Sequence, residues 1–303
     1  DNLAENGKVL ARPMEQWLAA EMPEMVEWFR RECCVPSTMI DRIVPRSGPQ
    51  DLAKLEQRLG MSDAGAVFTE RFSQWVIEDE FPQGRPEWEA GGALFVTDVA
   101  PYERMKLTML NGSHSMMAYA GFLAGHRYVR DVMSDPALAT LVKRHLVAAS
   151  RVMPPLAGID FADYGEALVE RFRNPAIAHE TYQIAMDGTQ KLPQRITAPA
   201  LIALEEGHDM RPFAFATAAW MRYALGRKED GTIYELRDPM AEKISKAVSG
   251  LSDPADIYNA LAKMPGLFPS ELTSSEKFSA PVRDILETML DAGTRAAIDR
   301  EAE

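Results

Sequence analysis

The stretch Tyr102-Glu103-Arg104-Met105-Lys106-Leu107-Thr108-Met109-Leu110-Asn111-Gly112-Ser113-His114-Ser115 decides how the rest of the chain is read. The run Leu94-Phe95-Val96-Thr97-Asp98-Val99 precedes it, and Pro101 suits the first turn of a helix. Met105, Met109, Leu110, Met116, Met117 and Tyr119 recur at helical spacing, which predicts a mostly apolar helix. At about 100° per residue, Glu103 and His114 nearly coincide on the helical wheel, with Asn111 to one side and Lys106 to the other. Four groups that exchange protons or hydrogen bonds thus share less than half of the circumference. On spacing alone they read as a solvated stripe, because a polar group in a core costs free energy unless it is paired or lines a wet cleft.

Outward from this helix the chain changes character. On the N-terminal side, residues 8–32 predict helix, with Val9, Leu10, Trp17, Leu18, Met25, Trp28 and Phe29 on the apolar side and Pro23 separating two pieces. Strand patterns follow around Ile40-Asp41-Arg42-Ile43-Val44, over residues 72–79 and over residues 93–99, with a short helix at 51–59 after the Ser47-Gly48-Pro49 turn. Asp41 and Arg42 by themselves read as a surface ion pair. On the C-terminal side helices dominate. Asp135-Pro136 supplies an N-cap and a first-turn proline for a helix to about residue 152, and Asp238-Pro239 and Asp253-Pro254 mark further starts. Residues 163–172 and 213–225 predict helices, the second buried with Trp220 and Tyr223, and residues 281–298 predict one amphipathic helix. The predicted fold class is mainly α with an α/β part: strands within residues 1–98, a helical domain over 99–303.

A chain of 303 residues with 46% hydrophobic content can bury a sizeable core. Its net charge of −12 argues against nucleic acid or an anionic membrane as partner. No apolar run approaches the ~20 residues needed to span a bilayer, and no signal peptide is read. The two cysteines, Cys33 and Cys34, are adjacent, which suits neither a disulfide nor a metal motif, so a reducing, cytoplasmic setting is expected. The histidines at 114, 126, 145, 179 and 208 form no His-x-x-x-His or His-Glu-x-x-His spacing, and no metal is expected. His126, His145 and His208 read as surface or helix-end residues.

Lys106-x4-Asn111-x2-His114, followed by Met116-Met117-Ala118-Tyr119-Ala120-Gly121, resembles the active-site helix of the long-chain polyol dehydrogenases. This is the mannitol dehydrogenase family, which includes mannitol 2-dehydrogenase, fructuronate reductase (mannonate oxidoreductase) and tagaturonate reductase. Four further stretches carry the resemblance: Asp1-Asn2-Leu3-Ala4-Glu5-Asn6-Gly7, Ile40-Asp41-Arg42-Ile43, Gln74-Trp75-Val76-Ile77-Glu78-Asp79, and the block from His179 through Gln190-Lys191-Leu192-Pro193-Gln194-Arg195. It is strong from Asp1 to about Arg195 and thin beyond about Pro239. The resemblance implies a Rossmann-type nucleotide-binding domain, of which residues 1–98 are a distal remnant. A helical C-terminal domain similar to that of 6-phosphogluconate dehydrogenase follows over residues 99–303. No Gly-x-Gly-x-x-Gly occurs, so the nucleotide-binding half is expected to be missing, and the isolated chain is expected neither to bind NADH tightly nor to turn over.

The resemblance also implies roles. Oxidising a secondary alcohol needs a base for the hydroxyl proton; reducing a ketone needs donors for the growing oxyanion and a proton source. Lys106 matches the family's acid/base, a role that desolvation makes possible for a lysine. Asn2 and Asn111 match the two amides at the reacting oxygen, where such donors contribute several kcal/mol. Glu103 matches the glutamate that passes protons to water, and His114 the residue that bonds a substrate hydroxyl. Asp41 and Arg42 are expected at the cofactor, NAD, with no metal. Lys191 and Arg195 read by themselves as helix-end cations; within the family they could meet a substrate carboxylate. The block around them most resembles the fructuronate reductase branch, and Gln183 stands where the mannitol branch carries an arginine. The expected function is NAD-dependent interconversion of D-fructuronate and D-mannonate by a monomer or weak dimer. The alternatives are a mannitol, other polyol or tagaturonate oxidoreductase, or a non-catalytic helical interaction module.

Overall fold

The computed structural model describes residues 3–303, in two compact units that meet in sequence at Lys106 and Leu107. The N-terminal unit is built on a three-stranded sheet of β1 (Thr38–Asp41), β2 (Gln74–Glu78) and β3 (Ala93–Val96), in that order. β1 runs antiparallel to β2 and β3 parallel to it, with Met39 opposite Val76 and Ile77 opposite Phe95. The central strand carries the buried Val76 and Ile77. Arg85 anchors the β2–β3 crossover. Its guanidinium bonds Asp79 and Glu89 and lies 3.2 Å from the Phe95 ring centre.

The helix Asn6–Glu21 is fixed to the sheet by its first two residues. The Asn6 side chain accepts from Thr38 N at 2.9 Å and donates to Thr38 O at 2.7 Å, imitating a strand partner at the start of β1. At Gly7 a Cβ would run into the Val35 carbonyl, so this close approach requires glycine. Pro23 ends the helix, as the sequence predicts, and a 3₁₀ turn leads into Val26–Glu32. The predicted apolar side is not a buried side. Leu18 is buried, but Val9, Leu10, Trp17 and Trp28 are 44%, 57%, 53% and 46% exposed, because nothing among the described residues packs on that flank.

The C-terminal unit is helical, with only isolated β-bridges at Tyr128–Glu180 and Arg227–Ile233 among the described residues. Its centre is the helix Arg211–Ala224, every residue of which from 213 onward is buried. Alanines at 214, 216, 218 and 219 let Gly112–Leu123, Pro136–Arg151 and Glu276–Asp291 pack closely around it. Asp135 caps its helix by accepting from Ala137 N and Leu138 N, and Asp253 caps Pro254–Ala262 in the same way. Asp238 accepts from Met240 N, and the helix there begins at Ala241.

Two sequence expectations are corrected in this unit. The single helix expected over residues 281–298 is two, Glu276–Asp291 and Thr294–Ala302, and Pro281 lies inside the first. Gly293, at φ +92°, breaks the run, and the distant Glu229 carboxylate accepts from Thr294 N to cap the second helix. Local periodicity carries no trace of that remote cap. His145 is not at a surface or helix end but buried in mid-helix, on the stripe of Leu138, Leu141, Val142 and Ala149.

Candidate active site

The Ala100–Met105 helix passes at Lys106 into a π-helical stretch, Lys106–Asn111, and then into the helix Gly112–Leu123. A π-turn bonds residue i to i+5, so positions five apart, such as Lys106 and Asn111, stack one turn above each other. The wheel of a regular α-helix misses this, and no residue in the stretch announces it. The solvated-stripe reading fails. Glu103, Lys106 and His114 are all more than nine-tenths buried and Asn111 is half-buried.

In the N-terminal unit the Lys106 ammonium donates to the Ile40 carbonyl oxygen of β1. Glu103, one turn earlier, accepts from Glu5 N at 3.2 Å, and burial raises its pKa above the usual carboxylate value. Asp41 is buried at the C-terminal end of β1. Arg42 points outward, its Nε and Nη2 donating to the Glu70 carbonyl at 3.1 and 3.0 Å, so the two do not form the ion pair their adjacency suggests. Asn2 lies outside the described residues.

In the C-terminal unit His114 packs against Phe172 at 4.7 Å between ring centres and against His179, edge to face, at 5.3 Å. Burial pushes the His114 imidazole well below its ordinary pKa, and the neighbouring His179, Arg195 and Arg171 add to this. Among the described residues His114 Nε2 and His179 Nδ1, both buried, have no hydrogen-bond partner. Lys191 donates to the Met186 and Ile184 carbonyls at 2.5 and 3.3 Å and lies 3.8 Å from Asp187 Oδ2. Burial and then Arg195 lower its pKa. Lys191 and Arg195 are thus half-buried rather than helix-end surface cations.

Arg195 sits on a second π-helical stretch, Pro193–Thr197. Pro193 accounts for this one: a proline inside a helix lacks an N–H and crowds the carbonyl four residues back, which widens the turn. Arg195 Nη1 donates to Ser115 Oγ at 3.3 Å, and among the described residues no carboxylate lies within ion-pair distance of it. The two helices meet at Gly112, where a Cβ would stand 2.8 Å from the Arg195 carbonyl oxygen and 3.2 Å from His145 Nε2. Asp187, at φ +57°, turns the chain into Gly188, where a Cβ would stand 2.8 Å from the Tyr119 hydroxyl. The Tyr119 hydroxyl is buried and has no hydrogen-bond partner among the described residues.

The structure therefore gathers Glu103 and Lys106 beside β1 in one unit, and His114, Lys191 and Arg195 in the other. Ser115 and His179 join the second group although no spacing rule singles them out. Their signal was adjacency: one follows His114 and the other opens the block ending at Arg195. No group of three or more metal-ligating side chains occurs among the described residues.

Residues 98–290 match the mannitol dehydrogenase C-terminal domain and residues 1–90 the mannitol dehydrogenase Rossmann domain. The chain belongs to the mannitol dehydrogenase family. Residues 1–90 are thus Rossmann-domain sequence, which corrects the expectation that the nucleotide-binding half is missing: part of that domain is here. The relatives include the D-mannonate oxidoreductase of Escherichia coli (strain K12), 39% identical over 98% of this chain and 61% of that protein. The Pseudomonas fluorescens mannitol 2-dehydrogenase ternary complex with NAD and D-mannitol superposes with a TM-score of 0.87 at 34% identity, over 99% of this chain and 61% of that one. A substrate-free D-sorbitol dehydrogenase gives 0.88 at 29% identity, over 98% of this chain and 61% of that one. The chain thus spans about three fifths of these relatives' length.

Proposed function

We propose that this chain carries the catalytic and substrate-binding residues of an NAD-dependent oxidoreductase that interconverts D-fructuronate and D-mannonate. One observation carries the choice of a sugar acid. Arg195 is a half-buried guanidinium with a serine hydroxyl as its hydrogen-bond partner and, among the described residues, no carboxylate to balance it. A cation withdrawn from water without a counter-ion is costly, and a substrate carboxylate meets its fork geometry. Identity to a protein named D-mannonate oxidoreductase supports the same reading.

The end of β1 is assigned to the dinucleotide: the exposed Arg42 guanidinium suits a phosphate, and the buried Asp41 carboxylate beside it is the acceptor assigned to a ribose hydroxyl. When bound, the nicotinamide supplies or takes the hydride. The rest falls to side chains. Lys106 holds or removes the proton of the reacting oxygen, and Asn2 and Asn111 donate to that oxygen. Glu103, with its pKa raised by burial, exchanges the proton with water. His114, held neutral, bonds a substrate hydroxyl, and Lys191 stands behind Arg195 as a second cation. Residues 1–98 serve the nucleotide and residues 99–303 the substrate, in a metal-independent cytoplasmic enzyme. Among the described residues no helix is long and apolar enough to cross a membrane.

Turnover of the natural protein with NADH is compared for D-fructuronate and for D-fructose, which lacks the carboxylate. D-Fructuronate is the preferred substrate, and Arg195→Leu raises its KM by about 10- to 100-fold, the value of a charge-assisted hydrogen bond. D-Fructose is affected no more than about twofold, well within one neutral hydrogen bond. Equal use of both ketones by the unaltered protein overturns the sugar-acid reading in favour of a polyol dehydrogenase.

A further inference from the structure

We propose that His179 is a second specificity-determining residue, which with His114 receives neighbouring hydroxyl groups of an open-chain sugar-acid substrate beside Arg195. The proposal rests on the sugar-acid reading for its substrate class. The two imidazoles stand edge to face at 5.3 Å, and each has one buried ring nitrogen, His114 Nε2 and His179 Nδ1, that finds no partner among the described residues. Two such unmet groups cost about 1–3 kcal/mol each if nothing ever bonds them. Packing alone does not call for histidine here. Phe172 already lies against His114, and a second phenyl ring would fill the space without that cost.

Acid–base work is also a poor fit. Burial and then Lys191 push the His179 pKa down to about 4, so it is neutral at physiological pH, as is His114. A neutral imidazole offers one donor and one acceptor, and a hydroxyl does both in return. Two of them side by side therefore suit adjacent hydroxyls on one carbon chain. The position of His179 is set by its backbone. His179 O accepts from Val129 N at 3.0 Å, Glu180 bridges to Tyr128, and Thr181 donates from N and Oγ1 to the Arg127 and His126 carbonyls at 2.9 Å each. A side chain on so constrained a segment is held ready for its ligand, which lowers the ordering cost of binding.

The test is a double-mutant cycle between protein and substrate in the natural protein. kcat/KM is measured for the wild type and His179→Phe with D-fructuronate and its monodeoxy analogues. His179→Phe should lower kcat/KM for D-fructuronate about tenfold, near the upper value of one hydrogen bond. For one analogue the substitution should bring no further loss, because the hydroxyl it served is already gone. His179→Asn should recover part of the loss by restoring a donor and an acceptor. An equal loss on every analogue, or no loss on D-fructuronate, overturns the proposal. Imidazole ¹⁵N spectra give a second measure that needs no variant: D-mannonate must shift the His179 Nδ1 resonance of the wild type, and an unmoved resonance also overturns it. If the enzyme prefers D-fructose, the sugar-acid reading fails, and the same cycle run with deoxy-fructoses still decides whether His179 reads a hydroxyl.

Discussion

Lys106 puts an amine on a buried helix position, with its Nζ donating to a main-chain carbonyl of β1. The carbonyl fixes where the amine sits, which suits a group that must trade its proton with substrate. In the natural protein Lys106→Ala should lower turnover by several orders of magnitude and leave NADH affinity nearly intact. A small amine in the assay should partly restore the rate. Retention of more than about a tenth of wild-type turnover, a barrier change under about 1.4 kcal/mol, removes the lysine from the acid/base role. Glu103→Ala should alter the pH profile more than substrate binding, since its carboxylate bonds Glu5 N in the other direction along the chain. The wheel placed these residues on one side of a helix. It could not say whether that side is wet or buried, because burial depends on β1 and Glu5, remote in sequence.

Helix packing at the two π-turns makes a sharper contrast. Two of the helical glycines, Gly112 and Gly165, have different neighbours. At Gly112 a Cβ meets a main-chain oxygen at 2.8 Å, and backbone cannot yield cheaply. At Gly165 the nearest atoms, in Met109 and Leu146, stand at 3.9 and 4.0 Å, ordinary contact. Gly165→Ala should therefore stabilise by about 0.5–1 kcal/mol through helix propensity. Gly112→Ala should destabilise by about 1–3 kcal/mol through overpacking and reduce activity by displacing Arg195. Denaturant midpoints with unchanged slopes check both, and a shift of the same sign at the two sites refutes the packing account. His145, beneath Gly112, is held at a pKa of about 4 by burial. In the unfolded chain it takes a proton near 6.5, so between about 6.5 and 4 the unfolded state binds more protons. The stability from keeping His145 neutral is complete above about pH 6.5 and lost as pH falls towards 4, by about 3 kcal/mol. His145→Leu should lose that much less over the same interval, and parallel pH–stability curves would refute it. The helix starts at Pro136 and Pro254 were legible because proline and aspartate act locally. The burial of His145 had a weak signal in its spacing from Leu138, Leu141 and Val142, which its polarity outweighed.

At the scale of the whole chain, legibility followed the range of the interactions. Period and punctuation placed strands around 40–44, over 72–79 and over 93–99, where the strands run 38–41, 74–78 and 93–96, and they placed the helices over 136–151, 161–173 and 211–224. The exposed flank of Asn6–Glu21 and the break at Gly293 were not, because each depends on what lies across space from it. The helix Thr294–Ala302 shows which remote contacts matter. It docks on Pro136–Arg151 and Glu276–Asp291 through the fully buried Ala297 and Ile298, and Glu301 bonds Arg211 at 2.6 Å and Arg300 at 2.9 Å. The ion pairs are the more conspicuous feature, yet Arg211 and Arg300 are 48% and 37% exposed. If Glu301 is removed, water can solvate both guanidiniums, so no buried charge is stranded and the loss stays near that of surface pairs. Ile298 has no such escape, since its truncation leaves a cavity in a packed core. Glu301→Ala should thus cost about 1 kcal/mol and become milder still in high salt. Ile298→Ala should cost about 2–5 kcal/mol and be indifferent to salt. Chemical denaturation with urea at two ionic strengths separates the two, and a Glu301 variant less stable than the Ile298 variant would show that the ion-pair network, not the apolar seam, holds the last helix in place.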